Sequence, residues 1–281
     1  MTRIAVNGIA LNVEQWGQGR PLLALHGFTG SVSTWAPFAR AWPGWRVVAV
    51  DLIGHGASDA PSDPARYRME RAVEDIVSLL EMLELGRAAV LGYSLGGRVA
   101  LHLALLAPER VDALVLESAA PGIDDPAERE ARVRSDEELA RFIERDGVAA
   151  FVDRWESMPL FATQRRLPRE VQARQREQRL ANRPAGLANS LRGMGAGAQE
   201  PLQGRLGEVT APTLLIAGAL DEKYRRLTET MASAIPRARA AVVADAGHTV
   251  HLERPDDFAR AVRTFLDERA SSVTATREVV R

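Results

Sequence analysis

Short apolar runs of Val, Leu and Ile alternate along the chain with stretches whose apolar positions recur at helical spacing. That is the pattern of β-α-β units around a buried parallel sheet. Residues 4–16 alternate about the turn pair Asn7-Gly8 and predict an antiparallel hairpin. Strands are predicted next at 21–25, 46–50, 88–91 and 113–117. Residues 69–85 place Val73, Ile76, Val77, Leu80 and Leu83 on one face and predict a crossover helix, and 95–106 predict another. After Ala120 the alternation stops. Residues 121–206 are charged and helical in pattern, with breaks at Pro126, Pro159, Pro168, Pro184 and the Gly193-x-Gly195-x-Gly197 run. Strands resume at 213–217 and 240–243, and a last helix is predicted over 256–266. A structureless loop as long as 121–206 is rare inside a compact domain. The expected organisation is therefore an α/β core, 1–120 and 207–270, interrupted by a helical cap, 121–206, with a frayed polar tail, 271–281.

Composition narrows the function. The 281 residues carry 36 basic against 37 acidic side chains, so no basic face for nucleic acid is expected. With no cysteine there is no disulfide framework, thiolate metal cage or thiol nucleophile. Neither a signal-peptide run nor an apolar stretch of membrane-spanning length is found. The expectation is a soluble cytoplasmic protein acting on a small molecule, without nucleic-acid or membrane partners; its oligomeric state is left open. Lys223 is the only lysine, and the remaining basic residues are arginine, whose planar fork grips carboxylates bidentately.

Gly92-Tyr93-Ser94-Leu95-Gly96 falls between a predicted strand and a predicted helix, the setting of the G-x-S-x-G elbow that projects a serine hydroxyl from a sheet. Such a hydroxyl needs a histidine to take its proton and an acid to fix the histidine tautomer. Asp221 and His248 follow the last two strands, in the order Ser, acid, His. Asp51 and Asp245 are alternative acids, the first early in the chain and the second in a turn. His251, three residues past His248, makes an H-x-x-H pair, but no third ligand cluster accompanies it. Replacing His251 is expected to be tolerated. His26-Gly27-Phe28-Thr29-Gly30 follows the first parallel strand, and the backbone amides of Phe28 and Leu95 are the expected oxyanion donors.

These motifs resemble the α/β-hydrolase superfamily over the whole chain. A closer resemblance, to the 2-succinyl-6-hydroxy-2,4-cyclohexadiene-1-carboxylate synthases of menaquinone synthesis, is carried by Gly92 to Arg98, Glu117 to Gly122, Pro159-Leu160-Phe161, Gly186-Leu187-Ala188, Leu191 to Gly195 and His251-Leu252-Glu253. It implies a lyase on a hydrolase fold, working without metal or organic cofactor on a polycarboxylate from which pyruvate is eliminated. It implies Ser94 as general base with Asp221 and His248, and contacts to substrate from Arg98, Arg132, Trp155 and Tyr93. A further arginine corresponds to Arg179 or to Arg176. Residues 160–195 hold eight arginines against Glu170 and Glu177, which suits such a substrate, although solvated helix faces would account for many of them. Two other readings remain at this level. A serine hydrolase, either a carboxylesterase or a carbon–carbon bond hydrolase, would use the same triad but has no need of Arg98, whereas a non-catalytic receptor has no need of an aligned base.

Overall fold

The computed structural model describes the backbone of residues 2–279 and the side chains of residues 2–269. β1 (Thr2–Val6) and β2 (Ile9–Trp16) form the expected hairpin. Asn7 and Gly8, at φ 45° and 83°, supply the two left-handed positions its tight turn requires. β3 (Arg20–Leu25), β4 (Trp45–Val50), β5 (Ala88–Tyr93), β6 (Val111–Glu117), β7 (Thr213–Gly218) and β8 (Ala238–Val243) complete one eight-stranded sheet ordered β1-β2-β4-β3-β5-β6-β7-β8. β2 is antiparallel to β1 and β4, and every other pairing is parallel. All six residues of the interior strand β5 are buried, so its sequence is continuously apolar instead of alternating.

The helices are α1 (Met69–Met82), α2 (Leu95–Leu106), α3 (Pro126–Ser157), α4 (Arg169–Leu180), α5 (Pro184–Met194), α6 (Glu222–Ala234), α7 (Val250–Glu253) and α8 (Pro255–Val279). Side chains alternate across β3, so Leu23 and Leu25 join a core with Val73, Ile76, Val99 and Leu103 of α1 and α2. Leu22 and Ala24 face the opposite layer, where α8 contributes Phe258 and Val262 beside Trp35, Phe38 and Trp42.

Two helix ends differ from the sequence expectation. α1 stops at Met82 because Glu84 turns left-handed (φ 55°) and the amides of Glu84 and Leu85 fold back onto the carbonyls of Glu81 and Leu80, a Schellman closure. α8 continues past 266 to Val279, through most of the stretch 271–281 where a frayed tail was expected; side chains from 270 onward and residues 280–281 lie outside the described part. α6 is an element the sequence reading passed over. Between β6 and β7 the chain is helical, and α3 and α5 enclose a small core of their own with Ile143, Phe151, Val152, Leu187 and Leu191. α3 bends at Gly147, whose φ of 82° and ψ of 171° no helix contains. Among the described residues no helix is long and apolar enough to cross a membrane.

Candidate active site

The site lies where β5, β7 and β8 end. Ser94 joins β5 to α2 at φ 50° and ψ −106°, a left-handed conformation that costs a non-glycine residue energy. The sharp turn brings two backbones together: a Cβ at Gly92 would run into the carbonyl of Gly96, and one at Gly96 into those of Leu25 and His26. Both flanking glycines of the motif are thus steric requirements.

His248 lies in the loop after β8, with Nε2 3.3 Å from Ser94 Oγ and Nδ1 2.8 Å from Asp221 Oδ2. Asp221 begins α6, where its other carboxylate oxygen accepts the Tyr224 amide at 3.3 Å. Neither alternative acid competes. Asp51 accepts hydrogen bonds from Asn12 and from the amides of Val32 and Ala57, and Asp245 occupies a left-handed turn position beside Arg254. Glu253, which sequence reasoning used only as part of a matching string, accepts from the amides on both sides of the histidine, Gly247 at 2.8 Å and Thr249 at 3.3 Å. It clamps the loop that aims His248.

The amides of Phe28 and Leu95 donate to no protein acceptor among the described residues, as a pair of oxyanion donors should. The Phe28 turn is braced from behind. His26 donates from Nδ1 to Gly27 O at 2.7 Å and accepts the Leu52 amide at Nε2, which fixes its tautomer. Asn182, just past α4, donates to Thr29 O at 2.9 Å and so ties the cap to the same turn. Above it an aromatic wall closes over the serine: Phe28, Phe161 and Phe151 each place a ring centroid 5.4 Å from Trp155, and Phe161 also reaches His248 at 6.1 Å.

Arg98 sits one turn after Ser94. Its Nη1 donates to Met194 O and to Gln199 Oε1, both at 2.6 Å, and among the described residues it makes no salt bridge. Burial pushes its guanidinium down to about 10, which still leaves it charged at neutral pH. Arg132 approaches from α3 and repels it. Arg132 Nε bonds Asp136 Oδ1 at 2.8 Å, so two cations share one carboxylate, itself held above the usual carboxylate range by burial.

The remaining expectations divide. Arg179 is buried against Phe161 and lines the same small cavity as Phe28, Tyr93 and Trp155, with one Nη on Glu156 and the other on Gln164. Its Nε has no hydrogen-bond partner among the described residues. Arg176 instead forms a half-exposed pair with Asp153 and Glu156, outside that cavity. The Tyr93 hydroxyl bonds Thr249 Oγ1 at 2.9 Å, while the side chain lines the small cavity. His251 borders the same small cavity but turns its ring to a different acid. Its Nδ1 meets Glu117 Oε2 at 2.8 Å in the aromatic layer with Trp35 and Phe258. Among the described residues no cluster of His, Cys, Asp and Glu is arranged to hold a metal ion.

Chain order, strained elbow and buried His–Asp pair at the carboxyl edge of such a sheet are features of the α/β-hydrolase class. The family described as alpha/beta hydrolase fold matches residues 20–255. The chain belongs to this family and, within it, to the group of 2-succinyl-6-hydroxy-2,4-cyclohexadiene-1-carboxylate synthases. It is 44% identical over 245 residues to a Bacillus subtilis (strain 168) protein that carries that name provisionally, covering 87% of this chain and 89% of the relative. The synthase of Serratia proteamaculans (strain 568) is 32% identical over 92% of this chain and 98% of its own length. The solved structure of MenH from S. aureus superposes with a TM-score of 0.89 at 32% identity, covering 92% of this chain and 98% of that one.

Proposed function

We propose that the protein is a cytoplasmic lyase of menaquinone synthesis that eliminates pyruvate from 2-succinyl-5-enolpyruvyl-6-hydroxy-3-cyclohexene-1-carboxylate. The observation that carries the reading is Arg98, a partly buried cation one turn from the serine whose protein partners are a carbonyl and an amide. A brace for the sheet edge would have found an acid, and a pocket for neutral esters would have no use for an unpaired guanidinium. With Arg132 it leaves one net positive charge after Asp136 is counted, which suits a substrate bearing carboxylates.

The chemistry follows from the geometry. His248 Nε2 takes the Ser94 proton while Asp221 holds Nδ1–H and offsets the imidazolium charge. Ser94 Oγ then abstracts the ring proton at C2, alpha to the succinyl ketone, and acts as a base. The electron pair passes to the ketone oxygen, which the Phe28 and Leu95 amides stabilise as an enolate. Collapse moves the ring double bond from C3–C4 to C2–C3 and C4–C5, breaks the C5–O bond and releases pyruvate in its enol form, which takes back a proton. Atoms and electrons balance without an oxidant. Phe28, Trp155 and Phe161 shield the enolate from water, and Arg179 lies at their far edge.

The test is to give purified protein freshly generated substrate and follow pyruvate, beside hydrolysis of a p-nitrophenyl ester. Fast pyruvate release that falls about a thousandfold or more in Ser94→Ala is expected. Ester turnover with pyruvate at the spontaneous rate would make the protein a hydrolase and overturn the reading.

A further inference from the structure

Tyr224 occupies the first turn of α6, three residues after Asp221, and its amide is the one that the Asp221 carboxylate accepts. The capping interaction that starts the helix therefore also fixes where this side chain stands. Its ring meets the His248 imidazole edge-on, with centroids 4.5 Å apart and planes at 62°. That is nearer than Tyr93 at 5.6 Å or Phe161 at 6.1 Å. The triad needs no such neighbour to work.

The phenol oxygen is the unexplained part. Among the described residues no hydrogen bond reaches Tyr224 Oη, although the side chain is partly buried. Burial raises its pKa, so the group stays a neutral O–H donor, and the positive charges it senses are Arg98 and Arg132. Among the described residues Arg98 bonds the protein through Nη1 alone and Arg132 through Nε alone. One hydroxyl donor and two guanidiniums thus stand near the catalytic imidazole, and the two protein carboxylates close to them are already engaged, Asp136 by Arg132 and Asp221 by His248 and the Tyr224 amide. Donors so arranged lack an acceptor with several oxygens and negative charge.

We infer that Tyr224 is a substrate-binding residue whose hydroxyl is the third donor, with Arg98 and Arg132, to one substrate carboxylate, and whose ring holds that carboxylate off the face of His248. The inference rests on the carboxylate reading of Arg98 given above, and it is independent of whether elimination or hydrolysis follows. Its chemistry is a charge-assisted hydrogen bond in a partly dry site, strong enough to be read in affinity.

The test measures binding of benzoylpropionate, a succinyl ketone with one carboxylate, and of its neutral amide to wild type, Tyr224→Phe and Arg98→Met, with thermal melts to confirm folding. Tyr224→Phe keeps the ring against His248 and is expected to weaken the carboxylate probe about tenfold while leaving the amide unchanged. In turnover the same variant is expected to raise KM with kcat nearly unaltered, a split that a purely structural tyrosine would not produce. Loss of probe binding in Arg98→Met together with wild-type binding in Tyr224→Phe overturns the role of Tyr224 and leaves the carboxylate site standing. Wild-type binding in both variants overturns the carboxylate site itself. Dependence on both residues in a protein that releases no pyruvate supports Tyr224 and removes only the elimination.

Discussion

His248 and His251 are three residues apart and differ in function because of the acid each one meets. His248 turns to Asp221 at the edge of the site, leaving Nε2 free for Ser94, whereas His251 points down to Glu117, a fully buried carboxylate at the end of β6. The backbone amide of His251 donates to the same carboxylate. Replacing His251, which the sequence reading expects to be tolerated, therefore leaves the triad contacts in place but removes a structural one. His251→Ala removes a hydrogen bond to a buried charge and leaves a void between Trp35 and Phe258. It is expected to cost about 2–4 kcal/mol, seen as a lower Tm by calorimetry, while turnover well below that Tm stays close to wild type. An unchanged Tm would contradict this account. The triad was legible in the sequence because its members follow strand ends in a fixed order. The roles of Glu253 and Tyr224 were not, since each depends on what a neighbouring loop places within reach.

At the scale of elements, strand positions were readable because a buried parallel sheet demands apolar runs, and the structure extends each predicted strand of the sheet by one or two residues. α6 was missed because it buries little. Only Thr228 and Met231 are fully buried, so although Tyr224, Leu227 and Met231 keep helical spacing they stand in a mostly polar run. Topology held the better signal, because two adjacent parallel strands, β7 and β8, require a crossover that is usually helical. Passing over α6 also hid Tyr224. In the cap, α3 changes direction at Gly147, whose backbone angles are nearly closed to other residues although no atom crowds the position. Gly147→Ala is expected to destabilise the protein by about 1–3 kcal/mol through backbone strain alone. The check is a lower Tm with protease cutting concentrated in the cap; a wild-type melt would mean that the bend has another origin.

At the scale of the whole molecule, acid should loosen the core around the oxyanion turn. His26 and His55 are fully buried, and burial lowers them to about 4 and about 3. Below pH 6.5 the unfolded chain binds protons that the folded one refuses, so stability falls as pH drops from there to about 4, and further toward 3 for His55. Each group contributes roughly 1.4 kcal/mol per pH unit in that window. Melting curves from pH 7 to 4 are expected to show Tm declining, with a shallower slope in His55→Asn; a flat profile would refute the linkage. The chain-wide reliance on arginine has a practical side as well. Its one lysine, Lys223, is exposed, with Nζ 5.9 Å from the ring centroid of Tyr224, which itself meets His248 edge-on. An amine-reactive fluorophore therefore finds a single ε-amine on the molecule, one aromatic ring away from the catalytic histidine, and its emission can report ligands that reach that histidine without an engineered cysteine.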